Sequence, residues 1–176
     1  YQNSNAQSFE LVPAESKITV FGTSNLHDWT VTSNSFSGFI VFDNLATCEI
    51  ENLELEVPST SLKSGKKGMD KNTYKALNTD DFTNISFALK KLNSAAPIDA
   101  TSFNVDSEGR LTIIGNSKAI PVKFKIIVSN ESICIEGSKK IKMTEYGVEP
   151  PKALFGTITT GDEVKIDYKL IFKTKQ

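Results

Sequence analysis

Val164-Lys165-Ile166-Asp167-Tyr168-Lys169-Leu170-Ile171-Phe172-Lys173 places an apolar side chain at every even position from Val164 to Phe172 and a charge at four of the five odd ones. Successive side chains on a β-strand point to opposite faces, so a two-residue period reads as a strand with one dry and one wet face. Val122-Lys123-Phe124-Lys125-Ile126-Ile127-Val128 and Leu53-Glu54-Leu55-Glu56-Val57 repeat the pattern. Just upstream of the second, Glu49 and Glu51 are odd-numbered while Glu54 and Glu56 are even. That change of phase predicts a β-bulge near Glu51 to Leu53.

Working outward, further strands are expected at Ile18 to Phe21, Trp29 to Thr32, Phe36 to Phe42, Ile85 to Leu92, Phe103 to Val105, Leu111 to Ile114 and Ser132 to Ile141. One segment, Lys66 to Asn78, instead carries Met69, Thr73, Ala76 and Leu77 at helical spacing and predicts a short helix. Met143 to Gly161 contains Pro150-Pro151 and three glycines and reads as a long loop before the last strand. Residues 1–8 are expected to form a flexible tail and 9–176 a single domain. An all-β chain with this many strands must manage its edges, and closure into an extended antiparallel barrel does so. Such a barrel of about eight strands can hold one small ligand.

Bulk composition limits the partners. The chain has 176 residues with Lys+Arg of 20 against Asp+Glu of 21, far from the basic balance of a nucleic-acid-binding domain. Its longest nearly apolar run, Phe36 to Phe42, is far shorter than the roughly 20 residues of a membrane-spanning helix. No signal-peptide pattern is visible, and the polar start Tyr1-Gln2-Asn3-Ser4-Asn5 is compatible with the start of a processed protein, which leaves export open. Cys48 and Cys134 permit one disulfide closing a loop of about 87 residues, or they are two separate small strand residues. Flanked by Ile133 and Ile135, Cys134 faces outward if the isoleucines face inward.

The inventory for catalysis is thin. His27 and Trp29 are the only histidine and the only tryptophan, and one His with two Cys cannot supply the ligands of a usual structural zinc site. GxSxG, P-loop and GxGxxG patterns are absent, and Ser64-Gly65-Lys66-Lys67-Gly68 lacks the Walker spacing. If residues 27–29 are extended, Asp28 points away from the imidazole and no triad forms. An enzyme built on His27 and a nearby carboxylate is the least supported class. The imidazole and indole are either part of a pocket, with binding made pH-sensitive by the imidazole, or a core plug beside a His satisfied by a carbonyl or carboxylate.

Leu26-His27-Asp28-Trp29-Thr30 after a first strand, Ser61-Leu62-Lys63-Ser64-Gly65 leading to Met69-Asp70, and Asp81-Phe82 before Ile85 and Phe87 together resemble the YceI-like family. Gly109-Arg110-Leu111-Thr112-Ile113-Ile114-Gly115 followed by Ile120-Pro121-Val122 is similar to that family's L-x-I-x-G-x-x-x-P-V strand pair. The chain departs from the family pattern at Glu15-Ser16, where a histidine is common, and over Met143 to Gly161. The resemblance implies a lipocalin-like barrel without catalysis or cofactor, whose interior binds, sequesters or transports a polyprenyl lipid or a quinone. It also implies a periplasmic or secreted bacterial protein and a homodimer. The lining it implies comprises Val20, His27, Trp29, Phe36, Leu55, Met69, Tyr74, Leu77, Phe82, Phe87, Ile113, Phe124 and Ile126. A solid, packed barrel serving as an extracytoplasmic stress-response or interaction module is the alternative, because inward apolar residues suit a filled core equally well. Lys63, Lys66, Lys67, Lys71 and Lys75 make the helix region the most basic stretch, suited to transient contact with a membrane or simply to a solvated face.

Overall fold

Twelve strands and one α-helix are present among residues 6–175, which the computed structural model describes. The strands are β1 (Gln7–Leu11), β2 (Lys17–Gly22), β3 (Trp29–Ser33), β4 (Ser37–Asn44), β5 (Glu49–Pro58), β6 (Asn84–Pro97), β7 (Ser102–Ile113), β8 (Asn116–Val128), β9 (Ser132–Lys142), β10 (Lys152–Ala153), β11 (Ile158–Thr159) and β12 (Glu163–Thr174). The helix, α1 (Lys67–Ala76), follows β5, and Asn78 in the left-handed region at φ 45° ends the turn after it. All strands but β10 and β11 form one antiparallel sheet, in the order β1-β4-β5-β6-β7-β8-β9-β12-β2-β3, and a β1–β12 pairing closes it into a lipocalin-like barrel.

β12, the stretch with the clearest alternation, holds the closure because it pairs with two strands in succession. Lys165 to Lys169 run against β2, and Phe172 to Thr174 run against β1. At the changeover the chain makes a 3₁₀ turn over Pro13–Glu15, and the buried Ser16 fixes it. Its hydroxyl donates to the Val12 carbonyl at 2.8 Å and accepts the Ile171 amide at 2.9 Å. β1 and β2 thus act as one interrupted wall strand. Beyond the interruption β3, folded back on β2, ends the row. Its outer side meets chain rather than strand: Thr32 and Lys63 exchange backbone hydrogen bonds at 2.9 and 3.0 Å, and the Ser33 and Ser61 hydroxyls lie 2.7 Å apart. The segment that leads into α1 therefore completes the barrel wall at this end.

The interior divides accordingly. At the end closed by β1, Phe9, Phe36, Ile40, Phe42, Phe103, Phe124, Ile126, Ile133, Ile135 and Phe172 form a continuous buried core, with Phe9 and Phe42 edge-on at 5.9 Å between ring centroids. At the other end a smaller cluster of Leu111, Ile113, Ile141, Tyr146, Val148 and Val164 packs with Trp29, Leu77 and Ile166.

Several local expectations change. β1 begins at Gln7, inside the stretch expected to be a tail, of which residues 1–5 lie outside the described residues. β7 runs unbroken where two short strands were expected, because its inward positions hold Ser107 and Gly109 instead of large apolar residues. The Ser107 hydroxyl donates to the Val122 carbonyl at 2.7 Å, and the Phe87 ring fills the space over Gly109 that a Cβ would take. The expected long loop contains a 3₁₀ turn over Met143–Tyr146 and the β10–β11 hairpin. The β5 bulge falls at Glu51, the residue passed over between the pairs Val41↔Asn52 and Phe42↔Ile50. Both thiols are free: Cys48 is buried in the core while Cys134 sits between the inward-facing Ile133 and Ile135 on the outer face. Burial pushes the Cys48 thiol up to about 12.

A packed end and a hollow end should respond differently to truncation. Ile126→Ala, at a fully buried site, is expected to cost about 2–5 kcal/mol. Val20→Ala, on a partly exposed cavity wall, should cost about 1 kcal/mol. Urea unfolding of both variants measures the difference, and equal losses would contradict the division of the interior.

Candidate functional site

The segment before β3 is a turn rather than an extended strand. The Ser24 hydroxyl accepts the amides of Leu26 and His27 at 3.2 and 3.0 Å and donates to the His27 carbonyl at 2.6 Å. The His27 ring donates from Nδ1 to the Asp28 carbonyl at 2.8 Å, since a carbonyl oxygen can only accept. The Trp29 indole donates to the Thr23 carbonyl at 3.0 Å, and its ring lies over Gly22, where a Cβ would collide with it. Both side chains are thus satisfied by the backbone, and both also border a cavity.

That cavity, about 330 Å³, lies under α1 at the end of the barrel away from β1. Val20, Trp29, Val31, Ile85, Ile113, Ile141, Val164 and Ile166 form its barrel walls, and Met69 and Ala76 of α1 with Leu77 just after it form its roof. Pro151, Ala153 and Ile158 of the β10–β11 hairpin close one side. Its polar lining, Ser24, His27, Lys66, Asn72, Thr73, Lys152 and Thr160, comes from the helix segment, the His27 loop and the β10–β11 hairpin with the residue after it, whereas the barrel strands supply apolar groups only. An apolar chamber with polar groups at its rim suits an apolar ligand with a polar end.

Two devices hold the roof and side in place. The Asp70 carboxylate accepts the Ser64 amide at 2.7 Å and its hydroxyl at 2.6 Å, tying the first turn of α1 to the preceding loop. These bonds favour the ionised form and hold the Asp70 carboxyl below the usual carboxylate range. At the other side the β10–β11 hairpin is laced to the His27 loop by Asn25, whose side-chain amide donates to the Thr157 carbonyl at 2.8 Å and accepts the Thr159 amide at 2.9 Å.

Of the side chains expected to line a pocket, Val20, His27, Trp29, Met69, Leu77 and Ile113 border the cavity. Phe36, Phe124 and Ile126 are buried in the packed end and do not line this cavity. Leu55 and Phe87 are partly buried beside the core and border a second pocket of about 550 Å³, lined also by Glu10, Leu11, Glu54 and Arg110. Phe82 packs its ring on Gly115, and the Tyr74 hydroxyl donates to the Thr60 carbonyl at 2.9 Å, strapping α1 down. Sequence reasoning missed Ile141, Val164, Ile166 and the hairpin residues. Val164 and Ile166 belong to the most regular alternation in the chain, but alternation reports face and not height along the barrel axis.

The YceI-like domain model matches residues 9–172. The chain belongs to the YceI-like family. Solved structures sharing the fold include BcnA of Burkholderia cenocepacia, 18% identical with a TM-score of 0.72 over 92% of this chain and 98% of that one. A polyisoprenoid-binding domain from Saccharophagus degradans, implicated in plant cell wall breakdown, is 14% identical, also with a TM-score of 0.72, over 95% and 98%. The Campylobacter jejuni YceI protein is 19% identical with a TM-score of 0.64 over 81% and 82%. A search of curated protein sequences gives no match. Among the described residues of this YceI-like chain, no three His, Cys, Asp or Glu side chains converge as a metal site would require.

Because the folded Asp70 carboxyl titrates below its unfolded value, its contribution is present above about pH 4 and lost as pH falls through the lower folded value. Ser64→Ala should raise the Asp70 pKa toward the ordinary range, which an NMR pH titration of the side-chain carboxyl would read. Tyr146 provides a second test, since its buried hydroxyl has no hydrogen-bonding partner in the protein. Tyr146→Phe removes an unsatisfied group and is expected to leave stability unchanged or raise it by about 1 kcal/mol, measured by thermal unfolding.

Proposed function

We propose that this YceI-like protein binds an isoprenoid, a polyprenyl lipid or a quinone, with part of the chain inside the cavity under α1. The observation that carries this reading is the segregation of the lining, with strand-borne aliphatic groups inside and loop- and helix-borne polar groups at the rim. A flexible hydrocarbon chain supplies no hydrogen bonds and favours such a wall, whereas its polar end finds His27, Lys66, Asn72 and Lys152 at the opening. The description of the Saccharophagus relative as a polyisoprenoid-binding domain agrees with this assignment. At about 330 Å³ the cavity is at the lower end of the roughly 300–1,000 Å³ typical of small-molecule pockets. It therefore takes a segment of a long chain, and the remainder leaves through the mouth.

Sequestration or transport of that lipid outside the cytoplasm, without chemistry on it, is the role that follows. The solid packing of the β1 end favours a second reading, a non-catalytic interaction or stress-response module whose interior holds no lipid. Mass spectrometry of native and organic-extracted protein from the source organism separates the two. A hydrophobic species of defined mass supports binding, and persistently empty protein that also fails to load quinones or polyprenyl phosphates eliminates it.

Trp29 lets the same question be asked in solution, because the only tryptophan borders the cavity. Titration with a quinone is expected to quench its emission. Ala76→Phe, which places a ring in the roof, should weaken the quinone at least tenfold while preserving the far-ultraviolet circular dichroism spectrum. Undiminished affinity in that variant would place the ligand elsewhere.

A further inference from the structure

We infer that the rim of the cavity is a docking surface for a bilayer carrying anionic headgroups, an inference that rests on the reading of the cavity as a lipid site. The β10–β11 hairpin turns through Leu154, Phe155 and Gly156, and the two large residues there are 66% and 109% exposed. Both have left-handed backbones, at φ 49° and 56°, a region that disfavours side chains of this size and suits glycine or asparagine. Neither burial nor turn geometry accounts for a Leu-Phe pair at this tip. A third projecting apolar residue, Leu26 at 65% exposure, stands beside Asn25, the residue bonded to Thr157 and Thr159 of the same hairpin. The three thus belong to one laced structure at the cavity mouth.

Charge supplies the second, independent observation. The segments bordering the mouth, residues 24–28, 63–76 and 149–160, carry six lysines against Asp28, Asp70 and Glu149, a local balance of +3 in a chain whose net charge is -1. Lys66 and Lys152 line the cavity and are exposed. Lys63, Lys66, Lys67, Lys71, Lys75 and Lys152 are exposed and take part in none of the salt bridges among the described residues. Apolar side chains that enter the headgroup region, flanked by lysines that meet anionic lipid, are the pattern of a peripheral membrane surface. A second copy of the chain is the poorer occupant, since a two-fold pairing of these rims would oppose two positive patches. Docked this way, the mouth opens onto the bilayer, and an isoprenoid passes between lipid and cavity without crossing water.

Co-sedimentation with vesicles tests the surface, using phosphatidylcholine alone and phosphatidylcholine mixed with an equal part of phosphatidylglycerol. The protein is expected to bind the mixed vesicles, to ignore the neutral ones and to be released at high salt. Phe155→Ser should lower the partition coefficient roughly tenfold. Joint replacement of Lys67, Lys71 and Lys75 by Gln should lower it by about fivefold per lysine. None of these residues borders the cavity, so quinone quenching of Trp29 without vesicles should be unchanged in both variants. Absence of binding to mixed vesicles, or equal binding by wild type and both variants, overturns the inference. So does a dimer in sedimentation velocity that Phe155→Ser abolishes while vesicle binding is absent. Vesicle binding by protein that loads neither quinones nor polyprenyl phosphates supports the docking surface and overturns the reading of the cavity, so the two failures are distinguishable.

Discussion

β12 has two partners along its length, and the hydroxyl of Ser16 fixes where one gives way to the other. Val12 donates its amide to the Ile171 carbonyl at 2.7 Å, Ser16 accepts the Ile171 amide, and the 3₁₀ turn between them shifts the chain from β1 to β2. A strand continuing straight through would have paired along all of β12 and left β3 with a different neighbour. The interruption gives the barrel a wall of β1, β4 and β5 at one end. At the other it brings β3 against the segment that carries α1. A helix cannot continue the ladder of a sheet, and the space beneath it is what the structure uses as a chamber. The site is thus a consequence of barrel closure and is not a feature added to a finished barrel.

How legible this was in the sequence depends on which physical quantity a residue pattern reports. Alternation reports face, so β5, β8, β9 and β12 could be read directly, and the displaced charges of Glu49, Glu51, Glu54 and Glu56 marked the bulge at Glu51. It failed where inward positions hold small or polar groups. Ser107 and Gly109 hid the middle of β7, because the stabilising partners there, a backbone carbonyl and the ring of Phe87, lie on other strands. Two-residue strands such as β10 and β11 are too short to show any period. Height along the barrel axis has no local signature at all. Phe124 and Ile126 are as regular in their alternation as Val164 and Ile166, yet the first pair is packed solid and the second borders the cavity. Only the register of β12 with β9 and β2 separates the two ends.

His27 and Trp29 show how a conspicuous residue pair can hold two roles. The Nδ1 of His27 and the indole N–H of Trp29 are spent on backbone carbonyls, which fixes the loop and the start of β3, while the rest of each ring remains available as wall. Rarity in the sequence drew attention to two residues that border the cavity. The polar residues that contribute most to the chamber's shape are less conspicuous ones, Ser24, Asn25, Ser64 and Asp70, each holding a loop or the helix against the barrel.

The solid end has a consequence for how such a barrel can change over generations. Its buried aromatic and aliphatic side chains, from Phe9 and Phe42 to Ile126 and Phe172, supply most of the stability that core burial provides. The chamber walls contribute less: Val31, Ile113, Ile141 and Val164 are buried, but Val20, Trp29, Ile85 and Ile166 are partly exposed. Substitutions in the lining leave most of that core in place, since among the wall residues it is Ile85 and Ile166 that pack against it, and the chamber can change shape while the molecule stays folded. One half of the barrel acts as the keel, and it leaves the other half free to diversify.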